Sequence, residues 1–140
     1  MNFKAMRPTV DTPFEINWSW FERNNINAQS LVRNQLNYKW RQRFDNGLEI
    51  KEVDYINSET GEVFKMDNMR EAILAECQWE PDYITRDMPL LQSILRLFLA
   101  NNNQPMTVVE MARRLERHDS NAILNLLTAS KIQNGIIPIL

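Results

Sequence analysis

The stretch from Gln104 to Ile139 limits the fold of this 140-residue chain more than any other part of it. It begins with a capping box, in which Thr107 is the helix N-cap and Glu110 stands three residues later. An apolar helical stripe follows, formed by Val108, Met111, Ala112 and Leu115. Arg117-His118-Asp119 indicates a turn, a second helical pattern comes next, and Gly135 introduces a short apolar strand. Helix, tight turn, helix and strand in this order predict a helix-turn-helix.

A third helix is predicted just before this stretch. Pro89 suits the first position of a helix that extends to Ala100, and the asparagines at 101–103 tolerate the left-handed conformation that ends helices. Apolar residues cover most of its circumference, so we expect it to be buried within the chain or in a dimer. With this helix first, the order matches a tri-helical, winged-helix-like unit with a truncated wing.

The second helix of the pair has one polar face. At about 100° per residue, its apolar arc contains Ala129, Ala122, Leu126, Ile123, Leu127 and Leu124. The remaining face carries Asn121, Asn125 and Thr128, with Lys131 at its edge. An asparagine can pair with adenine through two hydrogen bonds, and a threonine can contact a thymine methyl group. This face is therefore a candidate for reading base edges in duplex DNA.

Charge gives this candidate limited support. The chain has a formal net charge of −2, and residues 105–140 contain four basic and three acidic side chains. Three of the basic residues, Arg113, Arg114 and Arg117, lie largely outside the apolar stripe and can contact phosphates, which supply most of the affinity for DNA. The alternative is that these arginines and asparagines form an ordinary solvated surface. The sequence leaves both interpretations open.

The N-terminal segment fits two patterns. Thr12 as N-cap, Pro13 at the first position and Glu15 at the third predict a helix. The stripe of that helix is Phe14, Trp18 and Phe21. A strand is the alternative, because apolar residues also alternate at Phe14, Ile16, Trp18 and Trp20. The cap favours the helix.

The next segment is predicted to be one helix, with Asn27 as its cap and Asp45-Asn46-Gly47 at its end. Its apolar residues stand four apart, at Val32, Leu36, Trp40 and Phe44. A period of two fits part of the same segment, but its length favours a helix.

A β-hairpin is predicted at about residues 48–66, where strand-like runs flank the turn residues at 57–61 and Gly61 suits a positive φ. Asp67 then caps a helix that runs to Trp79, just before Pro81. The predicted fold is therefore α+β and mostly α. An N-terminal helical region with the hairpin occupies 1–82, and the winged-helix-like unit occupies 83–140, with one shared core as an alternative.

Basic and aromatic residues alternate in the sequence from Tyr38 to Phe44, a composition that can bind single-stranded nucleic acid. The surrounding charges favour a different interpretation. Residues 22–51 carry six basic and three acidic side chains, and residues 52–82 carry two basic and nine acidic ones. We expect these two stretches to neutralise each other within the fold or across a dimer, with Tyr38, Trp40 and Phe44 in the core.

The sequence argues against an enzyme. His118 is the only histidine, Cys77 the only cysteine, and the three glycines suit turns or caps and do not form a phosphate-binding loop. We predict no catalytic residue, metal site, cofactor or small-molecule substrate. A single cysteine, an N-terminus without the apolar core of a signal peptide, and the lack of a membrane-length apolar run predict a cytoplasmic protein.

Three segments resemble a family of small uncharacterised bacterial proteins: "VDYINSETGEVFKMDNMREAILAEC", "PDYITRDMPLLQSILRLFLANNNQPMTVVEMARRL" and "AILNLLTASKIQNGIIPI". The resemblance extends from about Phe14 to the C-terminus and is clearest from Val53 on. It implies the architecture above and no established activity. Many relatives carry Cys and His near the positions of Asn37 and Trp40, and His-Cys at Glu76-Cys77, a set that resembles a zinc site. Because only Cys77 is present here, we predict no metal.

Two hypotheses for the function follow. The first is a small nucleic-acid-binding regulator that contacts DNA through Arg113, Arg114, Arg117, Asn121, Asn125, Thr128 and Lys131. The second is a protein-interaction or scaffold module, with a protein partner or a second copy bound at the same surface or at the apolar helix 90–99. Fold alone does not choose between them.

Overall fold

The computed structural model describes residues 7–117, 119–129 and 131–140. These residues form seven α-helices and five strands in two small sheets, which confirms the α+β class. In chain order the elements are β1 (Pro13–Ile16), α1 (Trp18–Arg23), α2 (Ala28–Arg33), α3 (Tyr38–Asp45), β2 (Glu52–Ile56), β3 (Val63–Asp67), α4 (Asn68–Ala75), α5 (Leu90–Ala100), β4 (Met106–Thr107), α6 (Val108–Leu115), α7 (Ser120–Leu127) and β5 (Ile136–Pro138). His118, in the predicted turn, lies outside the described residues. No helix in the described part of the chain has the length and apolar character that crossing a membrane requires.

The chain is made of two compact units. The inserted unit is Asn27–Tyr83, and the terminal unit combines the residues up to Ile26 with Ile84–Leu140. The expected boundary between residues 82 and 83 lies next to the second junction. The N-terminal segment, which we expected in the first region, groups with the C-terminal one because β1 belongs to the same sheet as β4 and β5.

The N-terminal segment of the terminal unit begins with a strand, and the prediction of a helix from Pro13 was wrong. Phe14 and Ile16 are buried on one face of β1, as the strand alternative requires. Asn17, and not Thr12, is the N-cap of α1, since its side chain accepts hydrogen bonds from the backbone N–H groups of Ser19 and Trp20 at 3.1 and 3.3 Å. The alternating pattern therefore applies to the first half of the segment, which is β1, and the helical pattern to the second half, which is α1.

The sheet of the terminal unit has the strand order β4-β1-β5, and both pairs are antiparallel. Phe14, in the central strand, pairs with Met106 on one side and Pro138 on the other and is fully buried. The predicted stripe of α6 is confirmed for Val108, Met111 and Leu115, which are buried. They belong to a core that also includes Phe21, Ile94, Phe98, Ile123 and Leu127.

Side-chain caps define the starts of α6 and α7, and the first of them, Thr107, is the predicted N-cap. Thr107 Oγ1 accepts the N–H of Glu110 at 3.2 Å, and Asp119 Oδ1 accepts the N–H of Ala122 at 2.7 Å. After α5 the chain turns through Asn102 and Asn103, whose φ angles are 58° and 57°. Asparagine tolerates this left-handed conformation better than most residues.

The inserted unit contains two short helices where the sequence predicted one helix between residues 27 and 44. Asn27 is the N-cap of α2, as expected, but the helix ends at Arg33. Asn37 then caps α3, with its Oδ1 accepting the N–H of Trp40 at 2.8 Å. Gln35 and Leu36 are buried in the turn between the helices, so the interruption places the apolar Leu36 in the core.

The predicted hairpin is confirmed as β2 and β3, which pair from Glu52 opposite Asp67 to Ile56 opposite Val63. Gly61 has a φ of 77°, and its N–H donates to the carbonyl of Asn57 at 2.8 Å. Asp67 caps α4, as predicted. That helix ends at Ala75, earlier than expected, and a 3-10 turn over Cys77–Trp79 follows it.

Candidate nucleic-acid interface

Two residues with defined local roles lie between α6 and α7. Glu116 ends α6 in the left-handed conformation, at a φ of 54°, and its N–H donates to the carbonyl of Ala112 at 2.9 Å. Asp119 then starts α7 as its N-cap. Both helices have buried side chains on their inner faces. Because Ile123 and Leu127 are in the core, the opposite face of α7 points outward.

The outer face of α7 contains the three predicted polar residues. Asn121, Asn125 and Thr128 are all exposed. At about 100° per residue they fall within an arc of roughly 60°. Ala122 and Ala129, which belong to the predicted apolar arc, are exposed as well. The face is therefore wider than expected, with small residues beside the amides.

Asn121 and Thr128 differ in whether their polar groups are free to bond to a partner. Asp119 provides the N-cap of α7, so the amide of Asn121 is not needed for capping. The hydroxyl of Thr128 donates to the carbonyl of Leu124 at 2.7 Å, which uses its only donor within the helix. The methyl group of Thr128 then becomes its main means of contact with a partner.

Arg113 and Arg114 are the available cations of α6. Both are exposed, and neither forms a hydrogen bond or ion pair with the residues that the structure describes. Neighbours in sequence point about 100° apart around a helix axis. The two side chains therefore lie on different flanks of α6, and a DNA backbone on one flank would be closer to one of them than to the other.

Arg117 differs from these two arginines because its guanidinium is bound by the chain itself. Its Nη1 donates to the carbonyls of Thr85, at 3.3 Å, and Arg86, and its Nη2 donates to the carbonyl of Met88 at 2.6 Å and to Ser93 Oγ at 2.9 Å. These bonds attach the end of the α6 segment to the residues that lead into α5. A phosphate contact by Arg117, as the sequence suggested, would require some of them to break.

Acidic residues lie close to the candidate interface. Glu116 and Asp119 are exposed in the turn, and the carboxylate of Asp119 faces the N-terminus of α7 through its bond to Ala122. Lys131, also exposed, follows α7. Arg113, Arg114 and Lys131 supply three positive charges against these two negative ones, so phosphate binding here depends on a few individual side chains and not on a broad basic patch.

The inserted unit has a second group of aromatic and charged residues. Trp40 Nε1 donates to a carboxylate oxygen of Glu76, and Lys39 Nζ lies 3.5 Å from the other one. The guanidinium carbon of Arg43 is 4.6 Å from the centre of the Trp40 ring. The hydrogen bond from Trp40, aided by the charge of Lys39, holds the pKa of Glu76 below its ordinary value. The Lys39–Glu76 pair joins one residue of the basic stretch to one of the acidic stretch, and the wider neutralisation stays a prediction.

Two aromatic side chains of this unit are highly exposed. Tyr38, which we expected in the core, is 70% exposed, and Trp79 is 74% exposed. They are next to Asn37 and Glu80, whose side chains share a hydrogen bond. Trp79 carries no signal of exposure in the sequence, because it stands at the end of a pattern that predicts a longer helix. Trp40 and Phe44 are half-buried.

Within residues 7–117, 119–129 and 131–140, no group of three or more histidine, cysteine, aspartate or glutamate side chains could hold a metal ion. Cys77 is a free thiol and is buried. Comparisons with family models, with curated proteins and with solved structures find no match. The resemblance noted in the sequence therefore stays a prediction.

Proposed function

We propose that the terminal unit is a helix-turn-helix that binds duplex DNA with α7 against the major groove. One observation carries this proposal: α7 presents Asn121, Asn125 and Thr128 on one exposed face, and the helix before it carries the exposed, unpaired arginines Arg113 and Arg114. In helix-turn-helix proteins the second helix contacts base edges with residues of its first turns. Asn121 and Asn125 occupy such positions in α7.

The order of elements supports a winged-helix variety of this fold. α5, β4, α6, α7 and β5 follow the order helix, strand, helix, helix, strand, and the central strand of the sheet comes from β1. The backbone hydrogen bonds between β1 and β5 are made by residues 13, 15 and 17 of β1. In β5, the backbone groups of Ile136 and Pro138 therefore point away from β1, toward the open edge of the sheet. Pro138 has no N–H, and the N–H of Ile136 donates to Gln133 at 3.0 Å. A further wing strand is thus disfavoured at this edge, and DNA contact would depend on α6 and α7.

The charges predict weak, salt-dependent binding. With Lys131 and one or both of Arg113 and Arg114 as the available cations, two or three phosphates would be neutralised. The logarithm of the binding constant should then fall by roughly 2–3 for each tenfold rise in salt. Such a slope is shallow for a DNA-binding protein and distinguishes this surface from a broad basic patch.

Fluorescence anisotropy with a labelled duplex at low salt tests the proposal. We expect binding that weakens with salt, and we expect Arg113→Ala or Arg114→Ala to lower both affinity and salt slope. Arg7→Ala is the matched control, because Arg7 is an exposed arginine outside α6 in the same unit. An absence of binding at about 0.1 mM protein, the weak end of non-specific affinity, would reject the proposal.

A second candidate function is protein interaction through the inserted unit. The observation in its favour is the pair of exposed aromatic residues, since tyrosine and tryptophan dominate the energy of many interfaces. The apolar helix α5 is a weaker candidate, because Leu95, Leu97 and Phe98 are already buried within the chain. Light scattering over a concentration series tests for a homodimer. We expect Trp79→Ala to lower the mass of any dimer, and a wild-type monomer at every concentration would exclude that form of the hypothesis.

A further inference from the structure

We infer that α7 selects A·T base pairs, and that it does so with the side-chain amides of Asn121 and Asn125 in the major groove. This inference rests on the proposed DNA binding and adds the base that is read. An asparagine amide has one donor and one acceptor at its end, which match the N6 amino group and the N7 of adenine. Guanine presents two acceptors at the same edge and is matched by arginine or lysine.

The exposed face of α7 lacks the side chains that guanine requires. Its exposed residues in the described part of the helix and the turn after it are Asn121, Ala122, Asn125, Thr128 and Ala129, all of them neutral. The available arginines are on α6, and Lys131 lies beyond the end of α7, where it is counted above among the phosphate contacts. A helix that meets the groove with amides and small residues can therefore recognise adenine but has no counterpart for guanine.

Local hydrogen bonds leave the amides available for this role. Asp119 is the N-cap of α7, so the amide of Asn121 is not needed for capping. Neither the amide of Asn121 nor that of Asn125 is bonded to another described residue. Four residues separate the two amides, which places them roughly 6 Å apart along the helix axis. This distance is close to two base-pair steps of roughly 3.4 Å each. Two adenines at that spacing can be contacted by one face of the helix.

The neighbouring residues favour the same base pair. Ala122 and Ala129 have short side chains, so the backbone of α7 can approach the base edges closely. Thr128 uses its hydroxyl proton on the carbonyl of Leu124 and is left with its methyl group for contact. The C5-methyl group of thymine is the apolar feature of the major groove, and the methyl groups of threonine and alanine suit it.

The test is a competition between two duplexes of equal length, one A·T-rich and one G·C-rich, measured by anisotropy at fixed low salt. We expect the wild-type chain to bind the A·T-rich duplex at least about fivefold more tightly for each adenine contact. Asn121→Ala and Asn125→Ala should each reduce this preference and leave affinity for the G·C-rich duplex unchanged. Asn34→Ala, at an exposed asparagine of the inserted unit, is the matched control and should change neither value.

A modified duplex identifies the contact. Replacement of adenine by 7-deazaadenine removes the N7 acceptor, so it should weaken wild-type binding and have no effect on the double variant Asn121→Ala/Asn125→Ala. Both variants retain helix-forming residues at exposed positions, and circular dichroism checks that they fold. Equal, salt-dependent binding of the two duplexes would overturn the adenine inference and leave DNA binding intact. No binding of either duplex would instead reject the proposed function.

Discussion

The side-chain amide of Asn103 forms two hydrogen bonds with the backbone of Ile16, accepting its N–H at 2.8 Å and donating to its carbonyl at 2.9 Å. Ile16 is at the end of β1, where its backbone groups face the β4 side of the sheet, but β4 begins only at Met106. The Asn103 amide thus provides the donor and acceptor that a residue of β4 would provide if that strand extended to the position opposite Ile16. It joins the turn after α5 to the N-terminal strand and helps to explain why both belong to the terminal unit.

Asn103→Gly should destabilise the terminal unit by about 1–3 kcal/mol, because the N–H and C=O groups of Ile16 lose their partner in a partly buried site. Glycine keeps the left-handed backbone of this position, so the loss reports the amide and not backbone strain. Urea unfolding followed by circular dichroism measures it. Asn25→Gly is the control, since Asn25 has a φ of 55° and is exposed. An equal loss in the two variants would contradict the assigned role.

Gly135→Ala should destabilise the protein more than Gly61→Ala. Both residues have positive φ angles, of 69° and 77°, so both variants should lose about 1 kcal/mol to backbone strain. A Cβ at Gly135 would in addition lie 2.7 Å from Phe21 Cε2, whereas no atom lies within 4 Å of one at Gly61. Overpacking of this kind costs about 1–3 kcal/mol more. Thermal unfolding of the two variants compares them, and similar melting temperatures would argue against close packing of Gly135 on α1.

Arg117→Met should lower the free energy of unfolding by about 2 kcal/mol, because the carbonyls of the segment before α5 lose a charged donor. Arg117→Lys should recover only part of that loss, since an ammonium group cannot reproduce the forked geometry of the guanidinium. Arg114→Met is the control and should change stability by no more than about 0.5 kcal/mol, because Arg114 is exposed. If Arg117→Met proved as stable as the control, the guanidinium would not be a structural tie.

Trp40→Phe should raise the pKa of Glu76, because the indole hydrogen bond is the largest cause of its lowered value. Lys39→Met should raise that pKa by a smaller amount, since the lysine charge is a lesser cause. NMR titration of the Glu76 carboxyl carbon measures both. The reverse order would show that the ion pair, and not the indole, controls this carboxylate.

The same lowered pKa predicts the direction of an acid effect on stability. A carboxyl group whose pKa is lower in the folded than in the unfolded state stabilises the fold above its unfolded pKa, and that contribution is lost as the pH falls through the folded pKa. Glu76→Gln removes the contribution at all pH values. Stability should therefore decline less in this variant than in the wild-type chain on acidification from neutral pH, as measured by urea unfolding.

The sequence alone determined the features that depend on neighbouring residues. Thr107, Asp67 and Asn27 were identified as caps because a capping side chain bonds to N–H groups only two or three residues away. The apolar stripe of α6 and the hairpin around Gly61 could also be predicted, since the helical period and the turn residues are visible within a few neighbouring residues.

Tertiary structure decided the features that depend on distant partners. The segment at Pro13–Ile16 had both a helical cap and a strand pattern, and it is a strand because β4 and β5 pair with it from some 90 residues or more further along the chain. Arg113, Arg114 and Arg117 look equivalent in the sequence, yet only Arg117 is bound by carbonyls at 85–88. Such partners are set by chain packing and leave no local periodicity or capping signal, so the strand and the bound arginine became visible only in the folded chain.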